Sequence, residues 1–313
     1  MEQSTDITRC LSKDEVRKRM GISTHVIGSD RLEPETLRRI RRSGIPNIEL
    51  CAMSPSHYDI QDRAQTAEVE EACQELGLGI VSVHAEDTHC GTWMSSAAEK
   101  ERRAAIDYTV ETARVAERLG AAVVVTHCGT SAAAEENMSE ALSRLGDSPA
   151  TLTIENGLGP GATFELESCR AFCERVDSPG LGITVDIGHL VDYVAEPDVI
   201  HPLFEKGGAL RELSKCGPYL RHLHLHDSRS FETRFSHHGA HNDHYPPFLG
   251  QVDWQDLFAA LGEVDYAGAF VFEPIGWFSE RITAALTESS HDARGDERDV
   301  FELVAAFPDK LLG

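Results

Sequence analysis

The sequence lacks the features of a secreted, disulfide-bonded or membrane-spanning protein. Its eight cysteines are scattered over 313 residues and include no Cys-x-x-Cys pair. No apolar run approaches the roughly 18 residues that span a bilayer, and charged residues occur throughout the first twenty positions. Scattered cysteines in a chain of this length are typical of reduced thiols. We therefore expect a soluble, cytoplasmic protein with no membrane partner.

Positive charge is also scarce. The chain has 29 lysines and arginines, only six of them lysines, against 52 aspartates and glutamates, so its formal net charge at pH 7 is −23. The one cluster of arginines, at positions 38 to 42, fits a solvated helix face that ends at Gly44. A phosphate backbone would meet a repulsive mean field before any local basic patch could act. The composition therefore predicts no nucleic acid partner.

Two common catalytic signatures are missing as well. There is no Gly-x-Ser-x-Gly motif, and His226, Asp227 and Ser228 are contiguous, so they cannot form a hydrolase triad. A glycine-rich segment at 157–161 could admit a phosphate to backbone N–H groups, but it lacks a Walker lysine. These absences argue against a serine hydrolase and against a P-loop nucleotide enzyme.

The sequence does contain a repeated alternation of short apolar runs and helical patterns. With 41% hydrophobic and 26% charged residues, it has the composition of an ordinary globular protein. Short β-branched runs separated by amphipathic helices predict parallel strands with right-handed crossovers, and eight such units close into a (β/α)₈ barrel. The predicted strands are 24–28, 47–50, 79–84, 122–127, 151–155, 182–186, 221–227 and 269–273.

The domain organisation follows from the same pattern. No further internal repeat, low-complexity tract or linker divides the chain. We therefore predict an α/β fold with one (β/α)₈ TIM barrel over 22–313, preceded by a short N-terminal helical extension over 1–21. A capping box from Ser12 to Glu15 opens the helix of the extension. Within the barrel, Gly120 predicts the end of one covering helix.

Polar residues end four successive predicted strands, on the face opposite the apolar residues. These four residues are Glu155, Asp186, His224 and Glu273. The apolar face of a barrel strand packs on helices, so these side chains should point inward at the C-terminal mouth, where barrel enzymes keep their sites. Carboxylates buried there without lysine or arginine partners are costly. The set therefore predicts one divalent metal ion with mixed oxygen and nitrogen ligands.

The same segments resemble a known family. The motifs IENG, VDIGH, HLHD and FEP, which occur in this order within residues 154–274, are similar to those of the xylose isomerase-like barrel superfamily. This superfamily includes ketose 3-epimerases, hydroxypyruvate isomerases, inosose isomerases and dehydratases, and family 2 apurinic/apyrimidinic endonucleases. The resemblance covers most of the chain, from His84 to Glu273, and specifies the superfamily far better than the substrate.

The resemblance implies a metal-dependent isomerase or epimerase of a small sugar, sugar phosphate, polyol or keto acid. The ligands that it implies are Glu155, Asp186, His224 and Glu273. We prefer His224 to His226 because the family ligand lies three residues before the aspartate of an His-x-x-Asp pattern, here Asp227. The ion is expected to be Mn²⁺ first, with Mg²⁺, Co²⁺ or Zn²⁺ as alternatives.

The resemblance also implies a mechanism. A metal that bridges a sugar carbonyl and the neighbouring hydroxyl would acidify the carbon between them and stabilise an enediolate. Glu155 and Glu273 would flank the substrate, one removing the proton and the other returning it. His189 is placed to hold a substrate oxygen or a second metal. The residues expected to bind the substrate are His84, His127, His189, His226 and Arg229.

Other functions stay open at this stage. A dehydratase would use the same metal and base. The endonuclease branch adds histidines from the third and fourth strands, which His84 and His127 could supply, and an Asp-x-His element. Here Asp243 and His244 are adjacent instead, which argues against a repair nuclease. A binding subunit that needs a partner chain is the remaining alternative, and the presence of both site glutamates argues against it.

Two further features have no single interpretation. Four histidines cluster in one predicted loop, at positions 237, 238, 241 and 244. They could belong to a lid over the sugar, to an additional metal site or to an ordinary polar loop. A homo-oligomer is compatible with the sequence but is not indicated by any motif.

Overall fold

Eight parallel strands form a closed barrel in which each strand pairs with the next and β8 pairs with β1. The computed structural model describes residues 11–28, 30–52, 56–85, 94–157, 163, 165–192, 202–228, 244–274 and 300–313. The strands are β1 Met20–Ser23, β2 Asn47–Cys51, β3 Gly79–Ala85, β4 Val123–Thr126, β5 Thr151–Glu155, β6 Leu181–Asp186, β7 Leu220–Leu225 and β8 Phe270–Phe272. The predicted (β/α)₈ architecture is confirmed.

The first strand is not where the sequence predicts it. The predicted strand at 24–28 is a 3₁₀ helix at Thr24–Ile27, and β1 immediately precedes it. The Ser23 hydroxyl caps this helix by accepting a hydrogen bond from the His25 N–H. β1 starts at Met20, so the barrel begins two residues before the predicted boundary at residue 22.

Helices cover the outside of the barrel; the first precedes β1, and the next eight lie between successive strands. They are α1 Lys13–Arg19, α2 Pro34–Ser43, α3 Arg63–Leu76, α4 Glu99–Leu119, α5 Ala132–Leu145, α6 Leu166–Val176, α7 Ile187–Asp192, α8 Gly208–Leu213 and α9 Trp254–Glu263. Short 3₁₀ helices lie at Pro202–Phe204 and Ser214–Tyr219, and two further helices at Val300–Ala305 and Phe307–Leu312. Within the described ranges, none of the helices has the length and apolar character needed to cross a membrane.

Local signals in the sequence set several helix ends. The predicted capping box is present, with Ser12 as N-cap and Glu15 as its reciprocal partner. Gly120 ends α4 in the left-handed conformation, with φ of 75°, and its N–H donates to carbonyls of the last helical turn. A residue with a side chain would be strained at this φ, so the glycine fixes where the chain leaves α4 for β4.

Alternation along the strands separates the core from the barrel interior. In β5, Leu152 and Ile154 are buried in the apolar core. Thr153 points inward, and its hydroxyl oxygen lies 2.6 Å from that of Thr184 on β6. Aromatic rings pack the C-terminal helix against the last strand. The Phe272 ring of β8 packs 4.7 Å from that of Phe307, and both are fully buried. Burying one such ring contributes roughly 1.5–3 kcal/mol.

Candidate metal centre

The four predicted ligands converge at the C-terminal ends of β5 to β8. One ligand atom from each lies within 4.8 Å of the other three, and no side chain of the four is exposed. The set is Glu155, Asp186, His224 and Glu273. Strand register produces this convergence, because Asp186 on β6 is paired directly with His224 on β7, and the Glu273 N–H donates to the Leu225 carbonyl.

The two ring nitrogens of His224 face in different directions. Nδ1 lies 3.2 Å from Oε1 of Glu155 and 3.4 Å from Oε2 of Glu273. Nε2 lies 3.0 Å from Oε2 of Glu49. When Nε2–H donates to Glu49, Nδ1 is the nitrogen that faces the two other carboxylates, and it could bind a metal ion in exchange for its proton, as metal-binding imidazoles do.

Glu49 is a site residue that sequence analysis missed. It lies on β2, is fully buried, and accepts a hydrogen bond of 2.8 Å from the Ser82 hydroxyl. The same oxygen lies 3.1 Å from Nε2 of His222, another residue to which no role was assigned. The available signal was an acidic residue near the end of a predicted strand. Glu49 holds the outer side of His224.

Three predicted substrate-binding histidines surround Glu155. His84 and His127 place Nε2 at 3.2 Å and 2.9 Å from its Oε2, and Nδ1 of His189 lies 3.4 Å from its Oε1. Burial by itself raises the pKa of Glu155, but the charge of His224, the charge and hydrogen bond of His127, and the hydrogen bond of His189 outweigh it. The pKa therefore lies well below its ordinary value, and Glu155 is a carboxylate at neutral pH.

Asp186 joins the quartet to a second group of histidines. Its Oδ1 accepts from the His189 N–H at 2.9 Å and lies 2.8 Å from Nε2 of His226. The His244 ring stacks on that of His226, with centroids 3.7 Å apart. The Asn156 side chain bonds both the N–H and the carbonyl of Asp186, which locks the ends of β5 and β6 together.

Two motif glycines provide the space for these rings. A Cβ atom at Gly188 would lie 1.6 Å from Cε1 of His226, and one at Gly157 would lie 2.4 Å from Nδ1 of His189. Gly157 also has φ of 136°, a conformation that residues with side chains rarely adopt. The glycines of IENG and VDIGH are therefore required by the imidazoles packed against them.

The position of Asp227 at the end of the HLHD segment has a structural explanation here. Asp227 accepts hydrogen bonds from the Ser228 and Val252 N–H groups and from Nε1 of Trp254, at 2.9 to 3.1 Å. These bonds tie the end of β7 to the start of α9. Asp227 is thus a support of the site and does not belong to the quartet.

Sequence analysis also missed His25. Its Nδ1 lies 3.3 Å from Oε1 of Glu273, although it belongs to a segment predicted as strand. Burial raises the pKa of Glu273, but the charge of His224 and the hydrogen bond from His25 outweigh it and lower the pKa to about 2. Arg229, a predicted substrate residue, lies outside the described residues, as do His237, His238 and His241.

The donor set fits a divalent cation. Three carboxylates and an imidazole are gathered in a buried space, and Oδ2 of Asp186 has no hydrogen-bond partner there. Within the described part of the chain, no lysine or arginine contacts these carboxylates. Buried carboxylates need compensating charge, and an ion with oxygen and nitrogen ligands supplies it.

The closed barrel and the buried centre of carboxylates and imidazole at its C-terminal mouth together define a class of barrel proteins. Comparison with known proteins shows which family within this class the chain belongs to. Residues 37–289 match the family model of the xylose isomerase-like TIM barrel, and the chain belongs to this family.

Named relatives and solved structures carry the comparison further. A ketose 3-epimerase of Arthrobacter globiformis is 26% identical over 271 residues, covering 80% of this chain and 78% of that protein. A crystal structure of D-psicose 3-epimerase with D-fructose matches with a TM-score of 0.67 at 15% identity, over 94% of this chain and 96% of that one. The structure of L-ribulose 3-epimerase matches with a TM-score of 0.64 at 18% identity, over 94% of each chain. These two structures share the fold.

Proposed function

We propose that this protein is a divalent-metal-dependent sugar epimerase or isomerase that acts on a small ketose. The observation that carries the proposal is the buried quartet, in which glutamates from β5 and β8 approach the same nitrogen of His224. The similarity to a ketose 3-epimerase supports the substrate class.

The quartet Glu155, Asp186, His224 and Glu273 would hold the ion. A divalent cation bound there supplies a Lewis acid, which acidifies a carbon next to a sugar carbonyl. We assign His84, His127, His189, His226 and Arg229 to substrate binding.

Glu155 and Glu273 are the two proton-transfer groups in this proposal. They belong to strands three apart in the barrel order, and their carboxylates approach Nδ1 of His224 with different oxygens. Each has a depressed pKa and is ionised at neutral pH, so each can accept a proton. His127 and His25 orient them through Oε2 of Glu155 and Oε1 of Glu273. One carboxylate would remove the proton and the other would return it.

The test combines a ketose panel with two isosteric variants. The purified chain is supplied with Mn²⁺ in deuterated water, and both epimer formation and deuterium exchange into the sugar are measured. Glu155→Gln and Glu273→Gln keep a carbonyl ligand and remove the base, so each should lose at least about a hundredfold in turnover. With one base intact, each variant should still exchange deuterium from one face.

The matched control is Glu212→Gln, which alters a buried carboxylate paired with Lys215 outside the site. This variant should keep wild-type turnover. Near-normal turnover by Glu273→Gln would rule out the two-carboxylate mechanism and leave Glu273 as a structural ligand. Loss of water from the substrate, with no epimer formed, would identify a dehydratase instead.

A further inference from the structure

A second group of metal-ligating atoms borders the quartet. Asp186, His226 and His244 each offer one ligand atom, and these atoms lie within 4.8 Å of one another. All three side chains are buried, with at most 3% exposure. Asp186 is common to this group and to the quartet. The two groups therefore share one carboxylate, and we call the second one the Asp186–His226–His244 trio.

The backbone brings the two histidines of the trio together. Asp227 and Tyr245 form an antiparallel bridge, with hydrogen bonds of 2.7 Å and 3.0 Å between their N–H and carbonyl groups. His226 and His244 flank this bridge on opposite sides and lie diagonally on the same face, so that their rings can reach each other, and the two imidazole planes stack within 12°. Main-chain pairing fixes this position, so the approach of the rings does not depend on long flexible side chains.

The hydrogen bonds leave ligand atoms available. Nδ1 of His244 lies 2.6 Å from the Glu273 carbonyl, to which only an N–H can donate, so Nε2 carries the lone pair. That Nε2 is buried and has no hydrogen-bond partner, and neither has Oδ2 of Asp186. A buried acceptor without a donor destabilises the folded protein. A bound cation would remove this cost for both atoms.

The quartet and the trio differ in the types of ligand that they offer. The quartet contains three carboxylates, from Glu155, Asp186 and Glu273, and one imidazole. In the described ranges no lysine or arginine contacts these groups. The trio adds two imidazoles and no new carboxylate.

We propose that the Asp186–His226–His244 trio binds a second divalent cation, with Asp186 bridging the two ions and with His226 as a metal ligand in place of the direct substrate contact assigned above. Two imidazoles and one carboxylate favour Zn²⁺, Co²⁺ or Fe²⁺, whereas the quartet, with three carboxylates and one imidazole, also suits Mn²⁺ and Mg²⁺. The two sites therefore differ in metal preference. This inference concerns metal content alone and does not depend on the sugar reaction proposed above.

The experiment counts zinc ions in the full chain. The protein is stripped with chelator, saturated with Zn²⁺, freed of excess metal by gel filtration and analysed by inductively coupled plasma mass spectrometry. His244→Ala and His244→Phe remove both nitrogens, and the phenylalanine keeps a ring to stack on His226 in case the smaller residue fails to fold. We expect each variant to hold one zinc ion fewer than the wild type. Anomalous scattering at the zinc edge should show this ion next to Asp186 in the wild type and no ion there in the variants.

The control is His57→Phe, which changes an equally buried histidine that contacts the Asp30 carbonyl and the Thr24 hydroxyl, outside both groups. It should keep the wild-type zinc content. A single zinc ion in the saturated wild type overturns the proposal, as does equal zinc content in the wild type and both His244 variants. Loss of every ion in His244→Phe also overturns it, because the quartet does not contain His244. Two ions in a chain that epimerises no ketose would support the trio while the proposed function fails.

Discussion

At the residue scale, Glu49 determines which nitrogen of His224 faces the quartet. Its Oε2 lies within hydrogen-bond distance of the Ser82 hydroxyl and of Nε2 of His222 and His224. These three contacts restrict rotation of the carboxylate. A carboxylate behind a metal-binding imidazole fixes its tautomer and raises its basicity. In the proposed function, Glu49 would therefore act on the metal through His224, as a positioning residue.

Glu49→Gln should weaken metal binding without removing a ligand. The amide has no negative charge, so it accepts the Nε2–H of His224 less strongly, and the basicity of Nδ1 falls. Loss of such a partner typically costs 10–100-fold in metal affinity. Isothermal titration with Mn²⁺ measures the change against wild type, with Glu212→Gln as the control. Unchanged affinity in Glu49→Gln would show that the orientation of His224 is set by something else.

The buried imidazoles lead to a second prediction at the residue scale, which concerns how the stability of the folded protein depends on pH. Burial lowers the pKa of both His84 and His189. The hydrogen bond and charge of Glu155 raise the pKa of His84 by more than burial lowers it, and the charges of Asp186 and Glu155 do the same for His189. The resulting pKa values are about 9 for His84 and about 10 for His189. Histidine in an unfolded chain titrates near 6.5. The stabilisation from these raised pKa values is therefore complete below about pH 6.5 and is lost as the pH rises to between 9 and 10.

We accordingly expect the melting temperature of the chelator-treated protein to fall between pH 6.5 and pH 10. Scanning calorimetry in the presence of chelator measures this trend. His84→Gln should flatten part of the slope, because the variant has no imidazole to deprotonate at that position. A melting temperature that stays constant or rises across this range would contradict the assignment of protonated imidazoles beside Glu155.

At the element scale, Asp227 joins β7 to α9. Residues 244–253, which precede α9, lie beside Asp227, and a Cβ atom at Gly250 would lie only 2.2 Å from Oδ1 of the aspartate. Three N–H donors converge on one side chain, and each would be left without its acceptor if the carboxylate were lost.

Asp227→Asn should lower stability and leave the metal content unchanged. The amide NH₂ would face one or more of the three donors, and a buried donor left unpaired costs about 1–3 kcal/mol in unfolding free energy. Urea denaturation monitored by circular dichroism gives this value, and metal analysis of the same sample tests the second half of the prediction. If metal were lost with stability intact, Asp227 would have to be counted among the ligands.

The elements also show why sequence patterns succeed at some strands and fail at another. The bounds of β5 are predicted to the residue because apolar and polar residues alternate strictly from Thr151 to Glu155. β1 contains Gly21 and Ser23 and has no β-branched run, while the apolar pair Val26 and Ile27 lies just beyond it. Periodicity therefore favours the wrong segment.

At the scale of the whole molecule, barrel closure brings together residues that no local pattern connects. The quartet can be predicted because its members end four consecutive strands, so their common location follows from the fold class. Glu49 and His224 are 175 positions apart and lie on β2 and β7, which are not neighbours. Their contact depends on side-chain lengths across the barrel interior, which the sequence does not specify.

Net charge leads to a prediction for the molecule as a whole. Salt-dependent binding to duplex DNA arises when lysines and arginines displace counterions from phosphates. With a net charge of −23, we expect no such binding, and fluorescence anisotropy with a labelled abasic duplex at several salt concentrations tests this. Micromolar affinity at physiological salt would support a nuclease in place of a sugar enzyme.

Gly188 has a consequence for how this site can evolve. Since the His226 ring occupies the space where any side chain at position 188 would begin, the two positions cannot vary independently. A lineage that acquires alanine at 188 must first, or at once, replace His226 with something smaller. The reverse path is closed in the same way, because regaining the histidine requires the glycine to return beforehand. Epistasis between these positions should therefore make glycine at position 188 hard to lose while His226 is present, and make histidine at position 226 hard to recover once position 188 has gained a side chain.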